Sequence, residues 1–191
     1  MTCRSLATKA GLGDAAIHLA ELAPCGPGAA VDPDRPIYPA SMIKTPLAVA
    51  AAVAEGRGRI GWADPVVVES SNMTANDAPS PLEPGAVASV RQLVELMLAR
   101  SDNVATNMLI DLLGRERASA DLAALGFANT AIRRKLSGAL PLIADPQATG
   151  RNTHPAADAC ALFARIADRD VPGAAFIEGV LATQYWNTKL S

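Results

Sequence analysis

The sequence predicts an α+β fold in which helices dominate. An alanine-rich run from Ser41 to about Ala54 is apolar on every side, as in a helix buried all round. Several later segments pair an apolar stripe with a capping signal, whereas the strand candidates are few and short. With 191 residues, half of them hydrophobic, and a formal net charge of −2, the chain is long enough for one domain with an ample core.

A short first helix is expected ahead of Ala15 to Leu22, where "AAIHLAEL" reads as a strand running into the turn "APCGPG". The helix beginning at Ser41 should stop at "EGRGRIG", whose glycines terminate it. "DPVVVES" is a brief strand, and "SSNMTANDAPSPLEPG" a polar, proline-rich loop. Ser89 opens the next helix with Gln92 at capping-box spacing, and Val90, Leu93, Val94 and Met97 form its apolar stripe as far as about Arg100. "NVATNMLIDLLG" closes at Gly114 and "ERASADLAALG" at Gly126. A further helix starts with Thr153 as its N-cap, and a last one covers about Gly173 to Tyr185. Between Asn129 and Asn152 the chain is irregular, and a connection of that length inside a compact domain usually carries function.

Composition excludes several classes. A near-neutral charge and few aromatics argue against a nucleic-acid partner. Cys3, Cys25 and Cys160 stand at wide, unpatterned spacings, so they read as free and packed rather than as disulfide or zinc ligands. No metal or organic cofactor is implied. No segment has membrane-spanning length, and "MTCRSLATKAGLG" lacks a signal-peptide core, so the chain as it stands is expected to be soluble and unexported.

Chemistry enters at "SMIK". Ser41 and Lys44 are three apart, so in a helix they share a face and the amine can approach the hydroxyl. A serine hydroxyl needs a base, and burial together with the positive end of the helix dipole disfavours the ammonium form of Lys44. The plainer alternative makes Ser41 an N-cap and Lys44 a surface residue. "SDN", Ser101 to Asn103, lies between two helices, where its residues could equally be caps. By composition S-x-x-K arises by chance in about one such chain in five and S-D-N in about one in forty, so their joint occurrence in this order carries the weight. His18 and His154 read as a strand-face and a helix-start residue, Met73, Met97 and Met108 as filler. "RRK", Arg133 to Lys135, reads as a solvated or loop-anchoring patch able to attract a carboxylate-bearing substrate.

With both motifs in place the chain resembles the class A β-lactamases and their relatives among penicillin-binding proteins and serine hydrolases. "YPASMIKTPLAVA", "LMLARSDNVATNMLIDLLG", "LAALGF", "RRK" and "NTHPAADACALFARI" are similar to segments of that family in its usual order. The resemblance implies a β-lactamase/transpeptidase-like fold, here mostly its helical lobe with an incomplete antiparallel sheet, in a single domain over residues 1–191. It implies Ser41 as acyl-forming nucleophile, Lys44 as proton acceptor, Ser101 as proton shuttle to the leaving nitrogen and Asn103 as a substrate hydrogen-bond donor. The oxyanion hole would use the Ser41 backbone N–H and a donor from a late strand. The family's location would be periplasmic or secreted.

Two departures shape the functional expectation. There is no K-T-G: Lys189 is followed by Leu190 and Ser191, so the chain reads as a fragment lacking three C-terminal strands, whose open sheet edge invites self-association. From Ala131 to His154 the only carboxylate is Asp145, where the family's β-lactamases carry a deacylating glutamate. The expectation is a serine hydrolase that forms a serine ester with a small β-lactam or related acyl substrate and releases it slowly. The alternatives are an esterase or D-alanyl carboxypeptidase on the same scaffold, or a non-catalytic penicillin-binding fragment.

Overall fold

The computed structural model describes residues 2–20 and 28–186. A short helix α1 (Cys3–Lys9), capped by Thr2, leads into an antiparallel pair of β1 (Ile17–Leu19) and β2 (Ala29–Val31). The chain then enters a 3₁₀ turn (Ala40–Ile43) and helix α2 (Lys44–Gly56). A second antiparallel pair, β3 (Pro65–Val67) and β4 (Val87–Ser89), precedes five helices: α3 (Val90–Ala99), α4 (Asn103–Leu113), α5 (Arg115–Ala124), α6 (Ala156–Ala167) and α7 (Ala174–Leu181). Among the described residues the sheet is therefore two separate two-stranded pieces.

Helix α2 is the axis of the core. Every residue from Lys44 to Ala54 is buried, and α3, α4, α5 and α7 all pack against it. Its alanines allow this close surround, since a helix enclosed on all sides has no room for a ring of large side chains. The approach is tightest at Gly173, the N-cap of α7. Its φ is +70° and a Cβ placed there would lie 2.6 Å from the Cβ of Ala52. At the far end of α2, Arg57 and Arg59 both grip the buried carboxylate of Asp121 on α5.

Several boundaries differ from the sequence expectation. Ser41 lies in the 3₁₀ turn rather than in an α-helix, which begins only at Lys44. Pro46 explains this, because it has no N–H to bond the carbonyl of Met42 and its ring crowds that carbonyl. The first strand is confined to Ile17–Leu19, and the predicted Glu21, Leu22 and Cys25 lie outside the described residues, as does Lys189. Cys3 and Cys160 are free and half-buried.

Thr153 is not an N-cap. It exchanges both backbone bonds with Ala131, and the cap position of α6 falls to Pro155. The last helix ends at Leu181 rather than near Tyr185, because the chain turns onto α3: Gln184 Nε2 donates to Leu98 O and Tyr185 N to Ala99 O. The capping box at Ser89 and Gln92 forms as expected.

The irregular connection after Phe127 is held by side chains. Asn152, fully buried, accepts from the backbone N–H groups of Arg133 (2.7 Å) and Arg134 (3.0 Å) and donates to Arg134 O. Lys135, expected in a solvated or anchoring patch, is buried on Asp111 of α4 at 2.7 Å, while Arg133 is exposed.

Gly173→Ala should lower unfolding free energy by about 1–3 kcal/mol through its left-handed backbone and the clash with Ala52. Gly179→Ala, at an exposed site inside α7 with open space around it, should instead stabilise by up to about 1 kcal/mol. Urea titration of both variants checks the opposite signs.

Candidate active site

Two backbone features present the site. Ala40 has a φ of 47° and turns the chain so that Ser41 stands exposed at the mouth of α2. Ser101, between α3 and α4, has a φ of 59°, a conformation that costs a non-glycine residue on the order of 1–3 kcal/mol and persists only where its surroundings fix it. Those surroundings are visible. Asp102, buried, is the N-cap of α4 and accepts from Ala105 N at 2.9 Å, while Thr106 Oγ1 donates to Asp102 O at 2.6 Å.

The four residues that the sequence singled out come together around one amine. Lys44 is 3% exposed. Its Nζ lies 3.2 Å from Ser41 Oγ, 2.8 Å from Ser101 Oγ, 2.5 Å from Ser101 O and 2.9 Å from Asn103 Oδ1. Ser101 Oγ and Ser41 Oγ are 3.1 Å apart, which closes a triangle of two hydroxyls and the amine. Two of the amine's neighbours, Ser101 O and Asn103 Oδ1, can only accept. They engage two N–H bonds, so a neutral Lys44 directs its lone pair toward the hydroxyls.

Burial brings that neutral form within reach. Desolvation lowers the Lys44 pKa from 10.5 to about 8, opposed by the negative charges of Asp102 and then Asp77. Roughly one molecule in ten then carries a neutral amine at pH 7. The linkage sign follows: between about 8 and 10.5 the unfolded chain binds this proton more tightly than the folded one, so the cost of this group to folding, full below about 8, is relieved as pH rises through that window.

A second ring of residues supports the triangle, and sequence reasoning did not find it. Asn76 Oδ1 accepts from Asn103 N at 2.6 Å, and Asn103 Nδ2 donates to Ala75 O at 3.0 Å. Gly138 packs so close to this loop that a Cβ would fall 1.9 Å from Ala75 O, and its N–H donates to Thr74 Oγ1. One turn along α4, Asn107 clamps Leu136, accepting from its N at 2.7 Å and donating to its O at 3.0 Å. Asparagines in a polar loop and in a helix interior look like cap and turn residues in the sequence, so only the fold reveals these partners.

Asp145 is not at the nucleophile. It is buried on Arg115 and accepts from Lys135 N at 2.7 Å. His154 is buried on Thr130 at 2.8 Å, within reach of Asp158 through that hydroxyl, and His18 lies on β1. Met97 and Met108 are core, and Met73 packs against it. Beside Ser41 and Lys44 a cavity of about 330 Å³ is lined by Met42, Met97, Leu98, Phe163 and Leu181. No three His, Cys, Asp or Glu side chains among the described residues are grouped to hold a metal, and no described helix is long and apolar enough to cross a membrane.

A serine and a buried lysine within one turn, met by a second serine between two helices, have the arrangement of the S-x-x-K and S-D-N motifs of β-lactamases and penicillin-binding proteins. The model of the beta-lactamase enzyme family matches residues 5–191, and the chain belongs to that family. Among solved structures it is similar to the β-lactamase of Sphaerobacter thermophilus DSM 20745, at 22% identity and a TM-score of 0.75 over 95% of this chain and 68% of that one. It is also similar to a PBP-A mutant captured as its acyl-enzyme complex with penicillin G (23%, TM-score 0.65, 84% and 60%). A third similar structure is the D-alanyl-D-alanine carboxypeptidase of Mycobacterium tuberculosis H37Rv (25%, TM-score 0.60, 85% and 58%). The chain thus spans about three fifths to two thirds of the length of these proteins. No curated protein matches it. The fold is α+β, of the β-lactamase/transpeptidase type.

The Lys44 amine should titrate near pH 8 when followed by NMR of its side chain, and Asp102→Asn should move the midpoint lower by removing the charge that opposes desolvation. A midpoint at or above 10 would contradict the burial argument.

Proposed function

We propose that this protein is a serine hydrolase that reacts with β-lactams by acyl transfer to Ser41 and releases the product slowly. The observation that carries the proposal is the closed triangle of Lys44 Nζ, Ser41 Oγ and Ser101 Oγ. Neutral Lys44 takes the Ser41 proton as Oγ attacks the lactam carbonyl. The C–N bond then breaks, and its nitrogen receives a proton through Ser101, replenished by the Lys44 ammonium. Asn103 spends one amide proton on Ala75 O and keeps a second for the substrate. Support for this choice of substrate comes from the similar proteins, one a β-lactamase and another captured as a penicillin acyl-enzyme. The proposal treats residues 1–191 as one domain.

Slow release follows from the loop. The segment clamped by Asn107 presents Leu136, a buried apolar side chain, and the loop's one carboxylate, Asp145, is committed to Arg115. Activating a water for hydrolysis of the ester requires a proton acceptor, and this loop offers none. The same observation favours a second reading, an esterase or D-alanyl carboxypeptidase, in which a more reactive or differently placed acyl group is the natural load. Among the described residues β1 and β2 pair only with each other, which supports self-association through an outer edge.

Mass spectrometry after incubation with penicillin G should find one acyl group on Ser41, persisting over many minutes. Ser41→Ala and Lys44→Arg should each abolish it with the fold retained, because a guanidinium stays protonated. The acylation rate should rise with pH about a midpoint near 8, where Lys44 loses its proton. No covalent mass would identify a non-catalytic chain instead. Asp145→Asn should leave the release rate within about twofold while lowering stability, since it removes the nearest of the two carboxylates that balance the buried Arg115. A release rate that collapses in this variant would name Asp145 as the base.

A further inference from the structure

We propose that Arg133 and Arg151 form a cationic patch that draws anionic acyl substrates toward Ser41, an inference that rests on the acyl-transfer reading above. The isolated antiparallel bridge between Ala131 and Thr153 sets two segments side by side, and two residues after Ala131 and two before Thr153 stand Arg133 and Arg151. The exposed Arg133 lays its stem over Gly150, and its Nη1 reaches Arg151 O at 3.4 Å. The guanidinium of Arg151 lies 5.2 Å from the ring centre of Tyr38. Tyr38 stands three residues before Ser41, at most about 11 Å of chain away.

The patch lacks a counter-charge among the described residues. Most arginines elsewhere rest on a carboxylate, as Arg57 and Arg59 do on Asp121 and Arg115 on Asp145. Among the described residues neither Arg133 nor Arg151 has such a partner, and neither does the adjacent Arg134. On a chain of net charge −2 this pair, tied through Tyr38 to the segment that leads into Ser41, makes a local positive field. The location is held firmly: Asn152 fixes the backbone of Arg133, and His154 N donates to Ile37 O, tying the segment that carries Arg151 to the one that leads into Ser41. The fitting ligand is an acyl compound bearing a carboxylate. Its concentration at the mouth rises whether or not encounter limits the rate.

The test compares two reagents for Ser41, the carboxylate benzylpenicillin and the neutral ester p-nitrophenyl acetate, by second-order labelling rates. In the Arg133→Gln/Arg151→Gln double variant, the ratio of penicillin to ester rates should fall about three- to tenfold. High salt should produce the same fall in the unaltered protein, and Arg133→Lys/Arg151→Lys should retain the ratio. A ratio unchanged by both neutral substitution and salt overturns the proposal.

Should neither reagent label Ser41, the acyl-transfer reading fails, and the patch is then judged by binding alone. In Ser41→Ala, titrated benzylpenicillin should shift the Arg133 and Arg151 side-chain N–H resonances at low salt, and the absence of such shifts sinks the proposal.

Discussion

The structure turns on the burial of one amine. Lys44 sits at the head of a helix that is covered on every side, and an ammonium there loses most of its hydration. The protein meets that cost with groups that serve either protonation state. Ser101 O and Asn103 Oδ1 hold two N–H bonds in both, and the third direction faces the hydroxyls. Asp102 and Asp77 keep the charged form from becoming inaccessible, so the amine rests near neutrality instead of being driven far below it.

This requirement explains features that would otherwise look unrelated. Ser101 must adopt a left-handed backbone so that its carbonyl and its hydroxyl both face the amine. Asp102 must then cap α4, which fixes Asn103 as the first residue of that helix. Ala75 and Asn76 hold Asn103 from the far side, and Gly138 is small enough to let the long loop close against them. The alanine content of α2 belongs to the same set, because it lets four helices approach closely enough to keep water from the lysine.

The parts of this arrangement that were legible in the sequence are those encoded by short spacing. Ser41 and Lys44 share a face over one turn, and Ser89 with Gln92 caps α3, so both could be read from local pattern. The self-contained helices were equally clear, since their apolar stripes and closing glycines lie within a dozen residues. What stayed hidden depends on distant partners. Strands β2 and β4 have three residues each, too few for an alternation to stand out. Asn76, Asn107 and Asn152 act across 27, 29 and 18 or more positions, where their neighbours in sequence give no hint of a clamp. Thr153 looked like a cap because its side chain suits one, and the ladder to Ala131 outweighed that local preference. The 3₁₀ entry to α2 was written in Pro46, whose effect falls four residues upstream on Met42.

The clamps on the long loop share a chemical property. Asn107 and Asn152 bind backbone through carboxamides, which neither gain nor lose a proton over the range in which the lysine does. An ionised carboxylate in either place could accept from the same backbone N–H groups but has no proton to give the carbonyls of Leu136 and Arg134, so half of each clamp would be lost. With amides, the scaffold is indifferent to the variable that governs the chemistry. A mutational drift from Asn to Asp at either position would remove a donor from the clamp across the whole range in which the lysine titrates.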